Sequence, residues 1–228
     1  MARKVKTEKT KKKSKLKVFM LIIFVLLILA GVGFLIFKSL NKEEKVKEAV
    51  KVTVVDSLDD YGYSLSDRDT KFYKSEYEVL KKILNENKVD EKEYATQVAR
   101  LFAIDLYTMS TKVNKYDVGG SEFFYKDKLD MFNTKVMDTL YSTLLDDTYG
   151  DREQELPEVE SIETVLVEET TYTIGEKKID GYIVKLKWTY VKDMGYDSQA
   201  SIVICPEDGI RWSVVDFQHT LSPEYDND

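Results

Sequence analysis

Only two side chains of this 228-residue chain offer an imidazole or a thiol, His219 and Cys205. Metal sites and nucleophilic catalysts usually combine several such groups. His219 stands in the polar C-terminal stretch HTLSPEYDND, where we expect water around it. Cys205 precedes Pro206 at the end of a predicted strand, where a cysteine is usually a small buried apolar side chain. The sequence therefore predicts no catalytic residue, no metal site and no cofactor.

An acidic, turn-rich stretch, DSLDDYGYSLSD, brings several carboxylates close together in sequence. Carboxylates are the ligands that calcium prefers, but the spacing of an EF-hand loop and its terminal glutamate are missing. We therefore interpret the stretch as a solvated loop. Its aspartates are Asp56, Asp59, Asp60 and Asp67.

Asp105 is a carboxylate inside an otherwise apolar helical run. A buried carboxylate needs hydrogen-bond partners or has a function, and we expect Asp105 to hold the following loop, STKVNKYDVGG. An acid–base role is the alternative. The chain has 41 acidic side chains, which the sequence alone cannot pair. A carboxylate-dependent hydrolase therefore stays open as a minor alternative to a protein that is not an enzyme.

Aromatic residues are the other candidate binding groups. Five of them are predicted to point inward from helices and strands, where they would line a ligand pocket or belong to an ordinary core. They are Tyr94, Phe102, Tyr107, Trp188 and Trp212.

The N-terminal part has a different composition from the rest. Residues 1–17 carry nine Lys or Arg and one Glu, a charge of +8, so the remainder of a chain of net charge -7 carries -15. Residues 18–37 have no charged side chain and are long enough to form a helix that spans a bilayer. The basic flank predicts a cytoplasmic N-terminus and an extracytoplasmic C-terminal domain. Lipid contacts are predicted for Val18 to Phe37 and for the tail. The acidic domain argues against a nucleic-acid partner.

Three helices are predicted beyond a charged stalk at residues 38–52. Apolar residues at helical spacing indicate helices over about 70–87, 91–109 and 126–145. Asp90 and Glu93 have the spacing of a capping box at the start of the second helix. That helix is apolar around most of its circumference, so we expect it to be central.

After Pro157 the apolar period changes to two. Strands are predicted over 159–174, 182–190, 198–205 and 210–217, with GEKKIDG as a hairpin connection and Pro206 as the end of the third strand. Short connections favour an antiparallel meander. The fold class is thus α+β, in which a transmembrane helix precedes three helices packed on a curved, cone-like four-stranded antiparallel sheet. The predicted domain covers 53–218, and residues 219–228 form a polar tail.

This order of elements resembles the nuclear-transport-factor-two-like fold over roughly Lys71 to Gln218. The helix EYATQVARLFAIDLYTM, the strand YIVKLKWTY and the last strand IRWSVVDFQ carry the resemblance. A basic tail, one span and such a domain are also similar in layout to inner-membrane assembly components of type IV secretion and conjugation systems. That resemblance implies a scaffolding role in the bacterial cell envelope, through an envelope protein partner or self-association.

Two functions from different classes follow. The first is a non-catalytic, membrane-anchored extracytoplasmic binding or assembly domain. The second is an extracytoplasmic receptor for a small apolar ligand or a peptide, which would use the five aromatic residues.

Overall fold

The structure is a computed structural model that describes residues 18–24, 26–28, 30–31 and 49–219. The chain divides into two compact units, Met1–Lys47 and Glu48–Asp228. The predicted tail at 1–17, most of the stalk at 38–52 and residues 220–228 lie outside the described residues.

The structure corrects the prediction of a transmembrane helix. The described residues between 18 and 31 are helical (α1). No helix within the described parts of the chain is both long and apolar enough to cross a membrane. The prediction of a span over 18–37, and the single-pass location and orientation that depend on it, are therefore wrong. Residues 32–37 and the basic tail lie outside the described residues, so lipid contact stays a prediction.

Two helices begin where the sequence predicts. The second helix of the chain, α2, runs from Lys71 to Leu84, and α3 runs from Glu91 to Tyr107. The hydroxyl of Thr70 accepts the Tyr73 N–H at 3.0 Å, and the carboxylate of Asp90 accepts the Glu93 N–H at 3.0 Å. Each cap satisfies a backbone donor that the first helical turn leaves free.

The cap at Thr70 gives a first testable prediction. Thr70→Ala removes the acceptor for the Tyr73 N–H, so we expect the free energy of unfolding to fall by about 1 kcal/mol. Urea unfolding followed by far-ultraviolet circular dichroism measures the change. Thr70→Asp is the matched variant, because it restores an acceptor and should stay close to the wild type. Equal losses for the two variants would contradict the capping role.

The third predicted helix is shorter than expected. A 3-10 turn at Lys126–Lys128 leads into α4, Leu129–Asp138, and residues 139–143 form turns instead of helix. The hydroxyl groups of Thr139 and Ser142 donate to the carbonyls of Lys135 and Thr139, each at 2.6 Å. Such local side-chain bonds compete with regular helix formation, which explains why the apolar stripe alone predicts too long a helix.

The main sheet is the predicted four-stranded antiparallel meander. Its order is β3-β4-β5-β6, in which β3 covers Val159–Ile174, β4 Lys177–Tyr190, β5 Gln199–Glu207 and β6 Arg211–Gln218. The α+β class and the antiparallel sheet are thus confirmed. The predicted connection GEKKIDG is mostly strand, because the turn needs only Gly175, at φ +62°, and Glu176.

Pro206 does not end the third strand of the meander, contrary to the prediction. It pairs with Trp212 within β5 and β6. The pairing between β4 and β5 stops at Tyr182 and Ile204. Pro206 therefore pairs with β6 only, and the sheet tolerates a residue without a backbone N–H at this position.

A two-stranded hairpin replaces the loop predicted over the acidic stretch. The strands are β1, Val54–Leu58, and β2, Tyr63–Ser66. Tyr63 and Leu65 are buried and alternate with Ser64 and Ser66, the two-residue period of a strand with one buried face. This run is too short for its periodicity to stand out among the surrounding aspartates.

Helix α3 is central, as predicted, and most of its residues are buried. It packs against α2 and one face of the main sheet in a single core. Arg100 of α3 fixes its position: the guanidinium donates to both carboxylate oxygens of Glu76, at 2.9 and 2.7 Å, and to the carbonyl of Ile162 at 3.2 Å. One side chain thereby ties α3 to α2 and to β3.

Candidate functional site

A groove of about 620 Å³ opens beside the first residue of α3. Its walls come from α3, from the middle of the β3–β4 hairpin and from the turn between β5 and β6. We call it the α3-end groove, and it is lined by Glu91, Glu169–Thr171, Ile179–Tyr182, Pro206 and Gly209–Trp212.

The groove exists because the long β3–β4 hairpin reaches beyond the start of α3. Strand residues two apart share a face of a sheet, so Tyr182 lies on the same face as Val184 and Leu186. The latter two are buried in the core that contains α3, whereas Tyr182 is only partly buried. Residues directly opposite in an antiparallel pair also share a face, and Glu169 stands opposite Tyr182.

Two aromatic rings form the floor of the groove. The ring centroids of Tyr182 and Trp212 are 5.3 Å apart. Trp212 is 8% exposed, and its carbonyl accepts the hydroxyl of the fully buried Tyr63 at 2.8 Å. The floor is therefore anchored to the core and organised in advance of any binding, which lowers the entropic cost of ordering it.

Gly181 lets the strands meet beneath the groove. A Cβ at this position would lie 2.2 Å from the Ile204 carbonyl oxygen and 2.9 Å from the Cys205 sulfur. Glycine is therefore required where β4 approaches β5 most closely.

The exposed charges of the groove are negative. The lining contains three carboxylates, Glu91, Glu169 and Asp180, and one cation, Arg211. All three carboxylate residues are exposed. The pKa of Tyr182 is raised by its burial, and further by the charges of Glu91 and Glu169. These two carboxylates therefore lie within electrostatic reach of the aromatic floor.

Arg211 is held by its own partners. Its Nη2 donates to the carbonyl of Glu122 and its Nε donates to the hydroxyl of Ser213 at 3.0 Å. The guanidinium lies over the ring of Tyr63 at 5.3 Å and 3.7 Å from a carboxylate oxygen of Glu207. Its charge is thus engaged away from the groove carboxylates.

The five aromatic residues predicted to line a pocket are all buried in the hydrophobic core. Trp212 lines the α3-end groove. Tyr94 is buried beside it, with its hydroxyl oxygen 3.0 Å from that of Tyr63. Phe102 is buried among other phenylalanine rings. Tyr107 and Trp188 pack together, with ring centroids 4.7 Å apart. Their role as a common ligand pocket stays a prediction.

A second polar site lies between β2, α2, α3 and the loop that precedes α4. It surrounds a cavity of about 130 Å³, room for roughly four water molecules at about 30 Å³ each. We call it the Glu122 cluster and define it by six of the polar side chains around the cavity, which are Ser64, Asp69, Tyr73, Asp105, Lys112 and Glu122.

Glu122 is the most perturbed carboxylate of this cluster. Its Oε2 accepts the N–H and the hydroxyl of Ser64, at 3.0 and 2.9 Å, and its Oε1 accepts the hydroxyl of Tyr73 at 3.2 Å. Burial, with the negative charge of Asp105, raises its pKa to about 7 despite these bonds. Shifted carboxyl groups are common in active sites and in structural networks alike, and the small cavity favours a structural role.

Asp105 holds the following loop, as the sequence predicts. Its Oδ2 accepts the Gly120 N–H at 2.6 Å, and its Oδ1 accepts the ammonium of Lys112. Burial alone would lower the pKa of Lys112, but Asp105 outweighs burial and the net direction is upward. Gly120, at φ +78°, makes the turn that brings its N–H to the carboxylate.

The remaining candidate groups do not form a reactive site in the described residues. Cys205 is buried, and burial raises the pKa of its thiol to about 11, which suppresses the reactive thiolate. His219 is less free than predicted, because its Nδ1 lies 2.8 Å from the Tyr107 hydroxyl and 3.1 Å from a carboxylate oxygen of Asp197. Its side chain is nevertheless 48% exposed.

Two of the four aspartates considered for calcium have protein partners. Asp56 pairs with Lys81 at 2.5 Å, and Asp67 accepts the Thr53 N–H at 3.1 Å. Across the residues that the structure describes, no group of three or more His, Cys, Asp or Glu side chains is placed to hold a metal ion.

Comparisons of the chain with protein-family models, curated proteins and solved structures find no match. The resemblances to the nuclear-transport-factor-two-like fold and to type IV secretion components therefore stay predictions.

Proposed function

We propose that residues 49–219 form a non-catalytic binding domain that holds a segment of a partner protein in the α3-end groove. One observation carries the proposal: an open groove of about 620 Å³ whose aromatic floor, Tyr182 and Trp212, is anchored in the core. Ligand sites in proteins typically have volumes of about 300–1,000 Å³. Aromatic side chains with one buried end and one accessible face are typical anchors of such sites.

Binding fits the groove better than catalysis does. Two strongly perturbed groups, the Glu122 carboxyl and the Lys112 ammonium, lie in the Glu122 cluster and not in the groove lining. A catalytic pair would need to reach a bound substrate, and the cavity beside these two groups holds only a few water molecules. The groove itself offers carboxylates, aromatic rings and one engaged guanidinium.

Site-specific photocrosslinking in the cells that make the protein tests the proposal. The photoreactive residue p-benzoylphenylalanine replaces Ile210, at the groove, or Met131, on α4. The two native side chains are exposed aliphatic groups, at 58% and 67%, so they form a matched pair. We expect one protein, identified by mass spectrometry, to crosslink at position 210 and not at 131.

A second variant links the adduct to the aromatic floor. Tyr182→Leu keeps the apolar volume but removes the ring, and aromatic contacts of this kind contribute about 0.5–1.5 kcal/mol. We expect the yield of the adduct at position 210 to fall about three- to tenfold, with thermal unfolding checked in parallel. Equal adducts at 210 and 131, or an adduct indifferent to Tyr182→Leu, would contradict binding in the groove.

A further inference from the structure

We infer that the α3-end groove recognises a cationic segment of its partner: an extended stretch whose lysine or arginine side chain lies over the Tyr182 ring and between Glu91 and Glu169. This inference rests on the proposed function and names the chemistry of the occupant. The inference is based on the arrangement of charge around the aromatic floor.

The groove carries an excess of negative charge. Glu91, Glu169 and Asp180 reach it from α3, β3 and β4 respectively. Arg211, the cation in the same lining, is bound to Glu122, Ser213 and Glu207. The carboxylates of the rim are therefore left to pair with a cation from outside, which is charge complementarity of the kind that steers association.

Tyr182 lies among these carboxylates in the groove. Glu169 faces it directly across the β3–β4 ladder, and the charges of Glu91 and Glu169 act on its hydroxyl. The face of an aromatic ring is itself negative and attracts ammonium and guanidinium groups within about 6 Å. A ring flanked by carboxylates thus offers both interactions to the same side chain.

The size of the groove and the spacing of its carboxylates decide which kind of cation fits. Within the described part of the chain these carboxylates do not form a set that could chelate a metal ion. The volume, about 620 Å³, exceeds what a single ammonium group fills. A protein segment with a long cationic side chain satisfies both observations, because its backbone occupies the open groove and its charged end reaches the rim.

The net charge of the whole domain also favours a cationic partner. Residues 49–219 contain 34 acidic and 21 basic side chains, a formal charge of -13. Such a field attracts cationic segments over a distance of roughly 8–10 Å at physiological salt and repels acidic ones.

Fluorescence anisotropy with three labelled nine-residue Gly/Ser peptides tests the inference on the full chain. One peptide carries two lysines, the second carries acetyl-lysine and the third carries glutamate at the same positions. We expect the lysine peptide to bind at least tenfold more tightly than the acetyl-lysine peptide, and the glutamate peptide to bind more weakly still. Higher salt should weaken binding of the lysine peptide.

The matched variants are Glu169→Gln and Glu163→Gln. Both residues are exposed glutamates of β3, but Glu163 stands opposite Lys187 and does not line the groove. We expect Glu169→Gln to weaken binding of the lysine peptide about three- to tenfold, and the double variant with Glu91→Gln to weaken it further. Glu163→Gln should leave binding within twofold of the wild type.

The outcomes separate this inference from the proposed function. Equal binding of the lysine and acetyl-lysine peptides, or equal effects of Glu169→Gln and Glu163→Gln, would overturn the cationic segment. If the crosslink at position 210 also survives Glu91→Gln and Glu169→Gln, binding in the groove stands with a different occupant. Absence of a specific crosslink at position 210, in the protein without further substitutions, would overturn both this inference and the proposed function.

Discussion

Replacing Asp105 with alanine is expected to lower the free energy of unfolding by about 3–5 kcal/mol, one of the two largest effects predicted for this domain. The side chain of Lys112 is only 9% exposed and makes its ion pair with Asp105. Removing the carboxylate leaves a buried ammonium without its counter-charge and leaves the Gly120 N–H without its acceptor. Uncompensated buried charge costs far more than the pair itself contributes.

Urea unfolding of a double-mutant cycle measures this effect. Asp105→Ala combined with Lys112→Met removes both charges, so we expect the double variant to recover part of the stability that Asp105→Ala loses. Glu155→Ala is the matched surface control, because Glu155 and Lys192 form an ion pair with side chains 71% and 62% exposed. Its loss should be below about 1 kcal/mol. Additive losses in the cycle would contradict the dependence of Lys112 on Asp105.

The features that the sequence predicts well are those set by neighbouring residues. The cap at Asp90 depends on a side chain and an N–H three positions apart, so its residue type is informative by itself. The same holds for Asp105, since a carboxylate within an apolar helix needs partners wherever the helix lies. The alternation of apolar residues in β4 likewise predicts a strand with one buried face.

The groove, by contrast, depends on register between distant residues. Glu169 and Tyr182 meet because the hairpin turns at Gly175 and Glu176. The predicted connection over GEKKIDG leaves this register unassigned, and a shift of one residue would place Tyr182 on the other face. The inward direction of Tyr94, Phe102 and Tyr107 is predictable, but whether an aromatic residue meets the core or a cavity depends on where α3 begins above the sheet.

The Glu122 cluster could not be predicted from the sequence either. Glu122 lies in a short 3-10 turn, Ser121–Phe123, with no periodic pattern around it. Its partners, Ser64 and Tyr73, belong to the unpredicted hairpin and to α2. Only the tertiary structure brings these polar groups together and buries the carboxyl group.

The pH dependence of stability should report directly on Glu122. Its pKa is raised to about 7 in the folded chain from an ordinary value near 4.5, so the folded state binds the proton more tightly than the unfolded state. The contribution of Glu122 to stability is therefore full below about pH 4.5 and is lost as pH rises toward 7. At about 1.4 kcal/mol per pH unit, the loss amounts to about 3 kcal/mol.

Glu122→Gln imitates the protonated side chain at every pH, and it should remove this dependence. We expect the free energy of unfolding of the variant to exceed that of the wild type by about 1 kcal/mol at pH 5 and by about 3 kcal/mol at pH 8. Urea unfolding at pH 5, 6, 7 and 8 gives the difference between the two proteins.

Asp69, whose pKa is also raised by burial, titrates in both proteins, so its contribution cancels in that difference. Glu163→Gln, at an exposed position, should show a constant difference from the wild type. Parallel curves for Glu122→Gln and the wild type would mean that the Glu122 carboxyl is hydrated in the folded chain and that the cluster does not retain its proton near neutral pH.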